Sequence, residues 1–181
     1  MLYFSGFALQ NESELFDFWL PQTQYCVVGF SYGAIKAVEY LLETHKRVDR
    51  LLLLSPAYFN NKSEAFKKMQ LLYYKKDPYK YRENFLKNIS FGSAISLTKY
   101  LGPLPPLDDL KELLYYNWSG NKLKTLQKRG ILIEVILGGK DKIIDANAAK
   151  EFFQDYALTY YIKDANHILK VITETTNSLD F

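Results

Sequence analysis

The sequence predicts an α/β fold, with a mostly parallel sheet of about five strands interrupted by an inserted block of helices. Three observations predict it. Short apolar runs alternate with helical patterns over residues 1–56, stop alternating over 57–120 and resume over 121–181. A buried-strand pattern, a sharp turn and a helical pattern are fused at Gly29-Phe30-Ser31-Tyr32-Gly33. The chain has 181 residues, of which 48% are hydrophobic, enough for one domain with a sizeable core but not comfortably for two.

Met1-Leu2-Tyr3-Phe4 reads as the first strand, and Ser5-Gly6-Phe7 as the turn after it. Asn11 is placed to cap a helix, with Glu14 at the capping-box position. Leu15, Phe16, Phe18, Trp19 and Leu20 would form its wide buried face, and Pro21 would stop it. Gln24 to Val28 is the second strand, and the helix after Ser31 turns Ile35, Val38, Leu41 and Leu42 inward. Leu51 to Leu54 is the third strand, closed by Ser55-Pro56. Helical patterns then cover Ser63 to Lys75, Tyr79 to Ile89 and Leu107 to Trp118, with the break Gly102-Pro103-Leu104-Pro105-Pro106 between the last two. The whole of 57–120 is read as a lid inserted into a core made of 1–56 and 121–181. In the second part of the core a helix at Lys122 to Lys128 precedes a strand at Ile131 to Leu137 and the turn Gly138-Gly139-Lys140-Asp141. A helix at Ala146 to Tyr156, a strand at Thr159 to Ile162, the segment Lys163 to His167 and a terminal helix at Ile168 to Thr175 complete the chain.

A net charge of +3, from 23 basic and 20 acidic residues, is too balanced for a general nucleic-acid binder. The longest apolar runs are far too short to span a membrane, and Glu12 and Glu14 interrupt the stretch where a signal peptide would need its apolar region. The expectation is a soluble, unexported, cytoplasmic protein. Cys26 is the single cysteine, which excludes an internal disulfide or a cysteine metal cluster, and its place within a strand points to packing.

The fused turn carries the chemistry. At background usage G-x-S-x-G would occur in roughly one chain in twenty of this length, so its strand-turn-helix context is what gives it weight. The two glycines let strand and helix cross closely, while Ser31 is held in strained backbone geometry with its hydroxyl lifted clear of the sheet's edge. The same turn aims the Tyr32 N–H at the reaction centre, with the helix N-terminus behind it. A serine needs a base, and the base needs an orienting group. Of the two histidines, His45 lies roughly four turns along the helix from Ser31. His167 follows a strand and belongs to the edge that carries Ser31, as Asp141 does after the preceding strand. Taken singly, Asp141 could be only a turn residue and His167 only part of a cap. Jointly, they make Ser31, Asp141 and His167 the candidate nucleophile, acid and base. Asp145 and Asp164 are weaker candidates for the acid, one a presumptive helix cap and the other too near His167 in sequence.

This order and placement resemble the α/β-hydrolase superfamily. The resemblance implies a second oxyanion donor just after the first strand, here the backbone N–H of Phe7, although Ser5-Gly6 stands where many members have His-Gly. A closer resemblance is to the BioV-type pimeloyl-acyl-carrier-protein methyl ester esterases of biotin synthesis. It rests on the compact start Tyr3 to Phe7, the elbow Gly29 to Ala37, the strand Leu51 to Pro56, the lid segments Ala65-Phe66-Lys67 through Lys76-Asp77-Pro78, and the closing Asp164 to His167. It implies hydrolysis of the distal methyl ester of a pimeloyl chain still attached to acyl carrier protein, without metal or organic cofactor. Lys62 to Asn88 carries a local excess of five positive charges, which would steer an acidic carrier, or would simply be a solvated helix face. Phe66, Leu71, Leu72, Tyr73 and Tyr74 would line an acyl channel or pack the lid. The alternatives are a thioesterase or general short-chain esterase with the same triad, and a catalytically dead module that binds the carrier.

Compared with fuller members of the superfamily, the chain is expected to lack the leading strands and one strand-helix unit before the elbow, leaving about five core strands. Five strands side by side in chain order would put the connecting helices on one face of the sheet. The other face would then need the terminal helix, part of the lid or a second subunit as its cover.

Overall fold

A computed structural model describes residues 1–172. Its sheet is parallel throughout and runs in chain order: β1 (Leu2–Phe4), β2 (Cys26–Phe30), β3 (Arg50–Leu54), β4 (Leu132–Gly138) and β5 (Leu158–Ile162). The six α-helices among the described residues are α1 (Tyr32–Glu43), α2 (Glu64–Lys76), α3 (Pro78–Ile89), α4 (Leu107–Tyr115), α5 (Gly120–Lys128) and α6 (Ala146–Phe153).

Register decides which side chains meet which layer, because alternate residues of a strand point to opposite faces. Val27, Leu51, Leu53, Ile133, Val135 and Leu137 face one side, where Ile35, Val38 and Leu41 of α1, Leu123 and Leu126 of α5, and Ala149 and Phe153 of α6 pack against them. Leu42, expected inward, is only half-buried at the margin of this core. All three connecting helices therefore lie on one face.

The opposite face shows Cys26, Val28, Phe30, Leu52, Leu54 and Ile136, and irregular chain covers it. Leu9, Leu15 and Phe16 come from the β1–β2 connection, Ile89, Leu97 and Tyr100 from the end of α3 and the segment after it, and Ile168 and Leu169 from the chain after β5. Burial among these groups pushes the Cys26 thiol up to about 11, consistent with a packing role.

Two sequence expectations are corrected. Asn11 makes no side-chain cap and adopts a left-handed conformation, and only a five-residue 3-10 helix, Glu12–Phe16, follows it. With three residues per turn, that helix aligns Glu12 with Leu15 and turns both inward, whereas Phe18 is left 87% exposed. Glu14 bonds Lys99 and Tyr100 instead of closing a capping box. After β5, residues 168–172 form turns and an isolated bridge between Ala165 and Val171, not the start of a helix. The rest of the expected terminal helix, 173–175, lies outside the described residues.

The three expected helices within 57–120 are present as α2, α3 and α4. Ser63 caps α2 by accepting from Phe66 N–H, and Asp77 caps α3 by accepting from Lys80 N–H, with Pro78 at its first position. Helix α4 ends at Tyr115, short of Trp118, whose indole N–H turns inward to donate to Ala57 O at 2.9 Å.

Candidate active site

The turn after β2 places Ser31 at φ 52° and ψ −113°, outside the regions that a non-glycine residue ordinarily occupies. Its neighbours hold it there. Ser31 N–H donates to Leu54 O at 2.9 Å, and Ala57 N–H donates to Ser31 O at 3.1 Å, so the end of β3 braces the turn from both sides. A Cβ on Gly29 would lie 2.4 Å from Gly33 O, and one on Gly33 would lie 2.0 Å from Phe4 O. Both contacts are with backbone, so neither position has room for a side chain.

His167 Nε2 stands 2.9 Å from Ser31 Oγ, and His167 Nδ1 stands 2.5 Å from Asp141 Oδ2. The histidine and aspartate side chains are wholly buried, and Ser31 is 1% exposed. The other carboxylate oxygen, Asp141 Oδ1, accepts from Ile143 N–H at 2.7 Å and Ile144 N–H at 3.1 Å, which fixes the direction in which the acid faces the ring. The competing residues are elsewhere. Asp145 caps α6 and accepts from Asn61, Asp164 is exposed, and His45 is exposed beyond the end of α1.

Gly138-Gly139, read from sequence as part of a turn, lets the histidine's segment come close. A Cβ on Gly138 would lie 2.2 Å from Asn166 O, and one on Gly139 would lie 2.4 Å from Lys163 O. Asn166, which the sequence analysis did not single out, ties that segment down: its amide donates to Phe91 O at 2.9 Å and its carbonyl accepts from Lys170 N–H at 3.1 Å. The Phe30 ring packs against the imidazole at 5.2 Å between centroids.

Phe7 is 1% exposed and Tyr32 6% exposed, and the backbone N–H of each lacks a hydrogen-bond partner among the described residues. For Tyr32 this follows from its place at the start of α1. A buried, uncommitted N–H group of this kind can stabilise a negative oxygen. The Tyr32 hydroxyl donates to Glu112 Oε2 at 2.6 Å, and Lys36 Nζ reaches the same oxygen at 2.6 Å, which ties α4 to α1. Burial pushes the Glu112 carboxyl up, but the hydrogen bonds from Lys36 and Tyr32 outweigh it and hold the group below its ordinary value.

Beside the triad lies a cavity of about 620 Å³. Phe7, Phe59, Phe66, Phe85, Leu110 and Ile143 supply its apolar wall, and Lys76, Lys80 and Lys142 are its cations. It reaches Phe7 and Ile143 but stops short of Ser31. Of the five residues named from sequence as channel or lid packing, Phe66 and Tyr73 line it, whereas Leu71 packs half-buried against the core, Tyr74 is buried in it and Leu72 is 65% exposed.

No family model matches the sequence, and no curated protein matches it either. Solved structures do. An esterase from Exiguobacterium antarcticum superposes with a TM-score of 0.61 at 16% identity, covering 78% of this chain and 59% of its own. BpoC of Mycobacterium tuberculosis H37Rv, which carries a non-heme bromoperoxidase name, gives 0.64 at 14% identity, covering 93% and 84%. BioG from Haemophilus influenzae gives 0.57 at 16% identity, covering 92% and 87%. The fold is that of the α/β hydrolases. The chain spans less than two thirds of the length of the first esterases it matches.

Proposed function

We propose that the protein is a serine carboxylesterase that hydrolyses the methyl ester of a pimeloyl chain carried on acyl carrier protein, releasing methanol and leaving the carrier-bound free carboxylate. The observation that carries the esterase reading is the continuous Ser31–His167–Asp141 relay, with spacings of 2.9 and 2.5 Å. His167 takes the proton from Ser31 as the hydroxyl oxygen attacks the ester carbonyl, and Asp141 stabilises the imidazolium that forms. The N–H groups of Phe7 and Tyr32 receive the negative oxygen of the tetrahedral intermediate. Collapse breaks the bond to methoxide, which leaves as methanol with the proton from His167. Water, deprotonated by the same histidine, then attacks the acyl-serine and a second collapse restores Ser31.

The substrate assignment draws on the sequence resemblance and on the cavity. An apolar wall suits an acyl chain, and lysines on α2, on α3 and beside Asp141 suit an acidic carrier. The carrier's thioester, at least as open to attack as the methyl ester, would be spared by position: the carrier stays outside, and only the far end of the chain reaches Ser31. Because the cavity stops at Phe7, side chains there must move before an ester meets the nucleophile. Acyl carrier protein would be the partner, encountered in the cytoplasm.

The test is mass spectrometry of methyl-pimeloyl acyl carrier protein incubated with the wild type and with Ser31→Ala. Loss of the methyl group with the thioester intact, in the wild type alone, is the expected result. Release of free carrier would make the protein a thioesterase, and no change in either sample would remove the substrate assignment.

A further inference from the structure

We infer that Glu12 is a positioning residue for the oxyanion hole: its buried carboxylate holds Gly6 N–H, and through it the peptide that presents Phe7 N–H to the reacting oxygen. The inference rests on Phe7 N–H being an oxyanion donor, as the proposed function has it.

Glu12 is completely buried. Its Oε1 accepts from Gly6 N–H at 2.8 Å and from the Tyr3 hydroxyl at 3.2 Å, and its Oε2 has no partner. Burial, with Glu12 beside it, pushes the Tyr3 hydroxyl far above its ordinary value, so Tyr3 remains a donor. No lysine or arginine pairs with Glu12 among the described residues. Removing a carboxyl group from water is costly unless both of its oxygens gain partners, and here one oxygen gains none. The surroundings do not call for an acid, because Leu9, Leu15 and Phe16 of the same connection enter an apolar layer. An apolar side chain would serve packing better. What it could not do is accept Gly6 N–H.

That bond falls where the loop most needs one. The segment bends through two left-handed non-glycine residues, Ala8 at φ 61° and Asn11 at φ 57°, conformations that persist only when the surroundings impose them. Downstream of Phe7 the backbone supplies the restraint. Leu9 N–H donates to Gly6 O, Gln10 N–H to Tyr100 O, and Gly102 N–H to Ala8 O. On the upstream side the Gly6 N–H is held by Glu12 alone. Gly6 cannot fix itself with a side chain, since a Cβ there would run into the Phe30 ring at 2.8 Å. The carboxylate thus links β1, through Tyr3, to the peptide plane preceding the donor.

The test compares Glu12→Leu and Glu12→Gln with the wild type in p-nitrophenyl butyrate hydrolysis, counting active sites with a fluorophosphonate so that misfolded protein does not enter the rate. Losing one oxyanion donor entirely costs about a hundredfold to a thousandfold, and misplacing one costs less. Glu12→Leu is expected to lower kcat per titrated site by about tenfold to a hundredfold with KM within about twofold. Glu12→Gln keeps an acceptor oxygen and is expected to stay within about fivefold of the wild type. A Glu12→Leu enzyme with wild-type kcat, or a Gln variant as slow as the Leu variant, would overturn the inference. If Glu12→Leu does not fold, Glu12→Asp withdraws the carboxylate by one methylene and should show the same split, and wild-type kcat there would count equally against it. If the wild type hydrolyses no ester, the proposed function fails first. The Glu12 claim is then read from the backbone amide resonance of Phe7, which moves in the variant if Glu12 sets the loop and stays in place if it does not.

Discussion

The two N–H groups proposed as oxyanion donors come from segments built in different ways. Tyr32 opens a twelve-residue helix, follows a strand buried at every position, and is held by glycines whose missing side chains let backbone touch backbone. Phe7 belongs to a loop with no regular structure, held by a buried carboxylate and by strands of irregular chain. The Tyr32 N–H is fixed by covalent and steric necessity, and the Phe7 N–H by hydrogen bonds that a single substitution can remove. The two segments meet at Gly33, which packs against Phe4 O and Ser5 O immediately before the Phe7 loop. The rigid half therefore sets the height at which the softer half must work.

Variants can separate the two halves from each other and from the proton relay. The largest effect is expected from Ser31→Ala, which removes the nucleophile and should lower turnover on the order of a millionfold, read as initial rates on an activated ester. Asp141→Asn leaves the Phe7 and Tyr32 N–H groups in place and upsets only the orientation and charge behind His167. It should cost about ten-thousandfold in kcat, and a variant with near-normal turnover would show that another group serves as the acid. Gly33→Ala attacks the contact between the halves. Its methyl group would meet backbone at 2.0 Å, so a loss of more than about 3 kcal/mol in denaturant stability is expected, with little soluble enzyme left to assay.

The smallest effect concerns the tie between α4 and the elbow helix. With its carboxyl held below the ordinary value, Glu112 contributes stability that is present above about pH 4.5 and lost as pH falls through the depressed value. The pair with Lys36 is about 40% exposed on both sides, so screening keeps the contribution under about 1 kcal/mol. Thermal melts of the wild type and Glu112→Gln should therefore differ slightly at pH 7 and converge as the pH is lowered through the depressed Glu112 value.

The same contrast explains what could be read in advance. The elbow was legible because steric necessity leaves a local signature: glycines at fixed offsets, an apolar run before and a helical period after. The partners Asp141 and His167 were legible because parallel topology sends the ends of β4 and β5 to the same edge as Ser31. The β1–β2 connection was misread for the opposite reason. Asn11 and Glu14 carry a helix-start signal, but tertiary partners claimed both the backbone and the acids, and Glu12 went inward while Glu14 went to Lys99 and Tyr100. Nothing in the local pattern marks Glu12 as buried. Its role depends on Gly6 and Tyr3, which converge on it only in the folded chain. Asn166 escaped notice similarly, since its partners Phe91 and Lys170 come from the turn after α3 and from the chain after His167. The cover of the second sheet face, left open between three candidates, includes one of them, Ile89, Leu97 and Tyr100 from 57–120, joined by short pieces of the β1–β2 connection and of the chain after β5, which no single periodicity could reveal.

The central claim is that Ser31 is a nucleophile activated by His167 and Asp141, and it is tested most directly by intact-protein mass spectrometry after exposure to a fluorophosphonate. The account predicts one adduct on the wild type, mapped to Ser31, with none on Ser31→Ala and labelling slowed by orders of magnitude in His167→Ala. An unlabelled wild type, or an adduct that maps to another residue and survives Ser31→Ala, would contradict it.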